Sequence, residues 1–387
     1  MEHSFFHSQK KVEYIELIYD LIFVYLIGRN NSLMDQLDGG FVSFETFSTY
    51  LIFSLIILQI WFHSALFVNR FGKNGVAEKA MLFVNMFLLY FMGTNTVNDW
   101  GPNYLSYMAA WVLIFLNIAV QYALKWKGQT DPAARKTIRN FIILLLVQAV
   151  VAGISVPIYH ATGLAFGAWA MVVGYVGMFL IRAPVHFTHL TERMMLYVVF
   201  TFGEMVISVA GYFSDGFSFA TLYFALMSFL VVAGLFFSYG IVYDRLLDRS
   251  NEKHPIGYMI VHIVLILSLA NITNALDFLR EPEVDAVWKA ILMLSSLLLF
   301  FLCLALTVGW SNREVQSKTR ILLQLLGQFA VFCAATFLTL RRNRVAVLIT
   351  VVFIYLQLLA LFLAEKRIQK RIPQERHDSI DEKEREP

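Results

Sequence analysis

Charge is what this chain has least of. Asp, Glu, Lys and Arg make up 15% of its 387 residues, against roughly 25% in an ordinary soluble domain. So few charges cannot build a water-facing surface around a chain of this length. Outside the short C-terminal tail there is no basic patch interleaved with aromatics, which removes nucleic acid as a partner. Cysteine is nearly absent too. Cys303 and Cys333 lie in separate apolar runs, offer neither a disulfide framework nor metal-ligand spacing, and read as core residues. No HExxH, Asp-rich metal motif or nucleophile motif is present, and no cofactor is expected. No cleavable leader is expected either. Lys10 and Lys11 precede an apolar run, but that run carries Glu13, Glu16 and Asp20, and no small-residue cleavage site follows it.

What is present is apolar sequence: 58% of the residues are hydrophobic and the mean hydropathy is +0.62. A membrane crossing takes about 20 mostly apolar residues. Twelve such runs stand at 12–33, 46–68, 79–97, 104–124, 138–159, 163–181, 188–212, 217–242, 256–277, 287–309, 320–340 and 344–364. The expected fold class is an all-α integral membrane protein, a bundle of about twelve transmembrane helices with the lipid bilayer as its environment.

Alternate loops place 25 of the 31 Lys and Arg on the side of the N-terminus, leaving Arg29, Arg280, Lys289, Arg341, Arg342 and Arg344 on the other. By the positive-inside rule both termini are then cytoplasmic. The Arg341–Arg344 cluster opposes this trend, so either that turn is a true exception or the last two helices form a re-entrant hairpin. A weak internal likeness also runs through the chain. Glu16 precedes Arg70 by 54 residues and Glu192 precedes Arg245 by 53, while Gly28 and Gly203 are 175 apart. This suggests two parallel six-helix halves, 1–181 and 182–364. The segment 365–387 is a charge run that reads as a disordered cytoplasmic tail, whose first basic residues could touch anionic headgroups.

An ionisable group inside hydrocarbon costs at least about 2.5 to 3.5 kcal/mol at a helix centre and needs protein or water beside it. The exceptions are therefore the candidate functional residues. Glu13, Glu16 and Asp20 are spaced by three and four and share one stripe of the first helix. Three acids there repel unless one is protonated or a cation from another helix joins them. On the seventh helix His186, His189, Arg193 and Glu204 fall near one line, with Tyr197 and Ser208 on the same face. Glu204 is about 20 Å from the helix start, and Gly203 beside it permits close helix approach. His186 and His189 would need ligands from other helices to hold a metal, so polar helix ends are the simpler reading and no metal is expected. His63 and His262 could join a proton-carrying network or satisfy core hydrogen bonds. Arg70, Arg193 and Arg245 stand at helix ends where snorkelling explains them. For Arg193, Glu16 or Asp20 is a better partner than the adjacent Glu192, which points away.

The segments IELIYDLIFV at 15–24, VNRFG at 68–72, and HLTER followed by TFGE between 189 and 204 resemble the bacterial low-temperature-requirement A family. The likeness covers roughly 12–365 and includes the order and number of helices. It implies a bacterial inner-membrane protein of a family named for a growth requirement in the cold, and it supplies neither reaction nor substrate. The matching residues are Glu16, Asp20, Asn69, Arg70, His189, Glu192, Arg193 and Glu204. Met205 departs from the pattern, in which a small hydroxyl residue would follow Gly-Glu.

The leading expectation is a secondary transporter or ion-translocating protein for a small solute or cation, in which Glu16, Asp20, Glu204, His262 and His63 carry protons or coordinate a cation. Asn69, Arg70, His186, His189, Glu192, Arg193, Tyr197 and Arg245 are then structural or gating polar groups. Two alternatives come from other classes: an intramembrane enzyme acting on a lipid or isoprenoid, and a stress-adaptive scaffold whose acids and arginines lock helices together.

Overall fold

A computed structural model describes residues 12–73, 75–96, 100–181, 184–214, 216–248, 255–310 and 315–383. Lys10 and Lys11 lie outside the described residues. Twelve α-helices are found among those described: α1 Tyr14–Asn31, α2 Phe44–Phe71, α3 Val76–Thr94, α4 Trp100–Trp126, α5 Pro132–Thr162, α6 Ala168–Leu180, α7 Phe187–Gly211, α8 Phe219–Ile241, α9 Pro255–Phe278, α10 Ala286–Thr307, α11 Val315–Leu338 and α12 Asn343–Lys383. Each corresponds to one predicted run. Ten are long and apolar enough to cross a membrane. The other two are α1, which carries Glu16, Asp20 and Arg29, and α6, which has only 13 residues.

Local chemistry sets the helix ends. Ser43, Asp131, Ser218 and Asp285 cap α2, α5, α8 and α10 by accepting hydrogen bonds from backbone amides of the first turn. Gly163 ends α5 in the left-handed region at φ 72°, which is why the predicted run 163–181 yields a helix only from Ala168. Between α1 and α2 the sequence LDGGFV makes a two-stranded hairpin, with β1 Leu37–Asp38 paired to β2 Phe41–Val42. Gly39 and Gly40 both have positive φ, as its tight turn requires.

The chain divides into two compact units, 1–204 with 254–259, and 205–253 with 260–387. The division falls inside α7, after Glu204. In the first unit α1 and α2 are antiparallel neighbours. Tyr19 OH lies 2.9 Å from Ser64 Oγ near one end, and Asn30 Nδ2 donates to the Tyr50 carbonyl at 3.1 Å near the other. The short α6 is held by side-chain amides. Gln59 Nε2 donates to the Met171 carbonyl and Gln148 Nε2 to Gln59 Oε1, both at 2.7 Å. Two glycines allow this approach, since a Cβ at Gly174 would collide with Gln148 and Gln59, and one at Gly177 with Leu144.

In the second unit α8 and α12 run parallel along the whole length of α8. Tyr223 OH donates to the Arg344 carbonyl at 2.8 Å, Gly234 lies against Ile354 and Tyr355, and Arg245 pairs with Glu365 at 2.8 Å. So α12 packs against α8 over the length of that helix, and α11 and α12 are each long and apolar enough to cross a membrane on either side of the Arg341–Arg344 turn. The helix continues through Lys383, where the sequence leads one to expect a disordered tail. The run of Glu, Lys, Arg and Gln that makes it soluble also consists of good helix formers. Cys303 is buried and Cys333 partly so, and both are free thiols.

Because α6 is packed through glycine, Gly174→Leu and Gly177→Leu should each destabilise the protein by about 1 to 3 kcal/mol or more. Gly153→Leu on α5, with nothing within 4 Å of its Cβ position, should be neutral. Thermal unfolding of the purified variants in detergent measures the difference.

Candidate functional site

The most polar point in the first unit lies where α1, α2 and α7 meet. Glu16 opens α1, and its Oε1 accepts from the Glu13 backbone amide at 3.3 Å, closing the first turn. Its Oε2 faces α7. Four residues on, one turn further along the same stripe, stands Asp20. Neither carboxylate has any solvent exposure. Arg193 of α7 spans the pair, donating from one terminal nitrogen to Glu16 Oε2 and from the other to Asp20 Oδ1 at 2.7 Å. The snorkelling expected of Arg193 is therefore wrong: its side chain is 2% exposed, turned inward by two carboxylates within reach. Glu16 is buried with it, whereas Glu13 is exposed.

Two further helix-borne groups complete the cluster. Trp61 of α2 donates its indole N–H to the same Asp20 oxygen at 2.8 Å, with the Arg193 guanidinium 5.5 Å from its ring centroid. Asn69, two turns further along α2, fixes the start of α7. Its Oδ1 accepts from the His186 backbone amide at 2.9 Å and its Nδ2 donates to the His186 carbonyl at 3.0 Å. That pairing sets the orientation of the carboxamide, so Nδ2 is also the atom 3.1 Å from His189 Nδ1. An amide nitrogen only donates, hence Nδ1 accepts and the proton of the neutral imidazole sits on Nε2, 3.5 Å from Glu16 Oε2.

The charge count of this enclosed group is uneven. Two carboxylates face one guanidinium, and with a neutral His189 the sum is one negative charge. Asp20 Oδ2 is buried and has no hydrogen-bond partner among the described residues. One proton, on the imidazole or on a carboxylate, or one monovalent cation would bring the group to neutrality.

Glu204 belongs to a second level of the same seam. Asn31 Nδ2 donates to its Oε1 at 3.1 Å, and a Cβ at Gly28 would lie 3.7 Å from that oxygen. Asp20 to Asn31 and Arg193 to Glu204 are both eleven residues apart, about 16 Å along each helix. So α1 and α7 run parallel, with polar contacts at both levels. Between them are rings: Phe23 to Tyr197 at 5.7 Å and Trp61 to Tyr197 at 4.9 Å between centroids. Asp20 and Glu204 thus line one seam but do not meet. The seam is bridged by long side chains, since the two backbones stay further apart than those of closely packed pairs such as α4 and α5.

The remaining predicted residues are dispersed. His63 is fully buried on the other side of α2, edge-on to Phe115 at 5.7 Å and to Phe141 at 6.5 Å. Glu192 is half-buried, and Arg70 at the end of α2 lies over Phe71. In the second unit His262 Nε2 is 3.5 Å from Tyr239 OH, and the half-exposed Arg245 pairs with the buried Glu365. Ser208 also belongs to that unit and donates to both oxygens of Asp277, at 3.0 and 2.9 Å. Sequence reasoning missed Trp61, Asn31 and Asp277. An indole or amide within an apolar run carries no charge signal, and Asp277 falls at the end of a run, where an acid reads as a boundary.

A family model described as Bacterial low temperature requirement A protein (LtrA) matches residues 11–363, nearly the whole chain. No match was found among curated proteins or solved structures.

Removing the guanidinium while keeping both acids should be the most damaging single change in the cluster. Arg193→Met should cost about 3 to 5 kcal/mol, the usual penalty for stranding a buried charge. Combining it with Glu16→Gln and Asp20→Asn should recover most of that loss. Denaturant or thermal unfolding of the single and triple variants checks both expectations.

Proposed function

The chain belongs to the bacterial low temperature requirement A family, and from this premise we propose that it is a secondary transporter or ion-translocating protein of the bacterial inner membrane, with both termini in the cytoplasm. The observation that carries the reading is the uneven charge of the enclosed Glu16–Asp20–Arg193–His189 group. A surplus carboxylate with a buried, uncommitted oxygen is what a site that takes up and releases a proton or small cation needs. Asp20 is the coupling residue, Arg193 and Glu16 hold it in place, and His189 stands beside Glu16 at 3.5 Å. Glu204, held by Asn31, is the second station along the α1–α7 seam, with Tyr197 and Trp61 between the two. His63, on the opposite side of α2 among aromatic rings, has no part in this path.

The scaffold reading has an observation of its own in its favour: Arg193 ties α1 to α7, and Trp61 and Asn69 tie α2 to both. The two readings differ in what a neutral isostere does. Asp20→Asn removes the surplus charge while keeping shape and hydrogen bonding. Under the transport reading it should fold at near wild-type stability, abolish gradient-driven ion or pH-dependent flux in proteoliposomes, and lose growth in the cold. Glu204→Gln should reduce the same flux at least tenfold. Unchanged flux with lowered thermal stability in both variants would leave only the scaffold.

A further inference from the structure

The second unit has a groove that the polar seam does not use. It lies between the last turns of the α8 span and the parallel stretch of α12, with a volume of about 640 Å³, a size typical of small-molecule sites. Its walls are apolar and aromatic: Phe236, Phe237, Tyr355, Leu359 and Phe362. Gly240 forms part of one wall, where a Cβ would meet nothing within 4 Å. At one end the character changes. The helix ladder of α8 loosens into a π turn, Val242–Leu246, which presents Asp244 and Arg245 to the groove. Arg245 is paired with Glu365, yet its side chain is still 55% exposed and so has donors facing outward. The Lys366 ammonium lies 4.4 Å from the centroid of the Phe362 ring, at the same end. Beyond it the sequence continues Arg367, Lys370, Arg371 and Arg376.

We propose that this groove binds an anionic phospholipid, with one acyl chain along Phe236, Tyr355 and Phe362 and the phosphate held by Arg245 and Lys366. Three features select this occupant. The groove is apolar along the membrane-spanning parts of both helices and cationic only where those parts end, so its polarity runs in the same order as chain, glycerol and phosphate. The cations stand at the head of a basic stretch that follows a span directly, an arrangement that attracts anionic headgroups at about 1 kcal/mol per residue. The aromatic rings and the open face at Gly240 form a smooth wall against which a chain can lie. Asp244 opposes the anion and tunes the site towards moderate affinity, which suits a lipid that must exchange with the bilayer. The site is independent of the ion-translocation reading.

The test is native mass spectrometry of the full-length protein with defined lipids, comparing phosphatidylglycerol with phosphatidylcholine of the same chains. Wild type should retain phosphatidylglycerol preferentially. Lys366→Gln should weaken that retention about fivefold, and Asp244→Asn should strengthen it by a similar factor, the change expected for one charge. Gly240→Leu projects a side chain into the groove from a position whose Cβ meets nothing within 4 Å and should remove the bound lipid of either class, while thermal unfolding confirms that the variant is folded. The proposal is overturned by retention that does not respond to these changes. It is overturned also by glycerol phosphate binding as well as the lipid, which would mark a headgroup-only anion site. Loss of a dimer in Gly240→Leu would likewise overturn it, since a second copy of the chain would then be the occupant.

Discussion

One guanidinium shared by two carboxylates, out of reach of water, is the interaction on which the first unit is arranged. Arg193 cannot reach solvent and Glu16 and Asp20 cannot reach it either, so each would be prohibitively placed without the others. That mutual requirement sets the level at which α7 stands against α1. Around the ion pair α2 contributes an indole at Trp61, which adds a second donor to Asp20 Oδ1, and a carboxamide at Asn69, which orders the cluster's surroundings. Asn69 does this at one remove, by gripping the backbone of His186 and presenting His189 in the tautomer that faces Glu16.

The second unit is built on a different balance. Its parallel pair, α8 and α12, packs closely through Gly234 and apolar side chains, with polar contacts at the two ends, Tyr223 with Arg344 and Arg245 with Glu365. The α1–α7 pair is the reverse, with its backbones apart and its polar contacts inside the span. A close helix pair joined at its ends leaves space on its outer face, and an open pair bridged by long side chains leaves a seam within. The groove and the charged cluster follow from these two ways of setting parallel helices together.

Much of this was legible in the sequence, for identifiable reasons. Ten of the helices announce themselves because the bilayer demands long apolar runs, and caps such as Ser43, Asp131 and Asp285 mark helix starts. Arg193 could be assigned to Glu16 or Asp20 because two acids four apart on one stripe call for a cation, and the neighbouring Glu192 points elsewhere. Distances across helices were not legible. Hydropathy says nothing of register, so Asp20 and Glu204 read as possible partners although three turns separate their levels. The shortness of α6 depends on Gly163 and Gly167, which a hydropathy window averages away. The tail reads as disordered because charge and helix propensity, carried by the same residues, point in opposite directions.

The equal eleven-residue spacing on α1 and α7 has a mechanical consequence. Both contacts of the seam lie on the same stripe of two rigid rods, so an axial slip of α7 by even part of a turn, about 5.4 Å in full, would break the Arg193 bridge and the Asn31–Glu204 bond together. Neither end can relax alone. The two contacts together hold both helices in one axial register, so a displacement of either helix at one level is carried to the other.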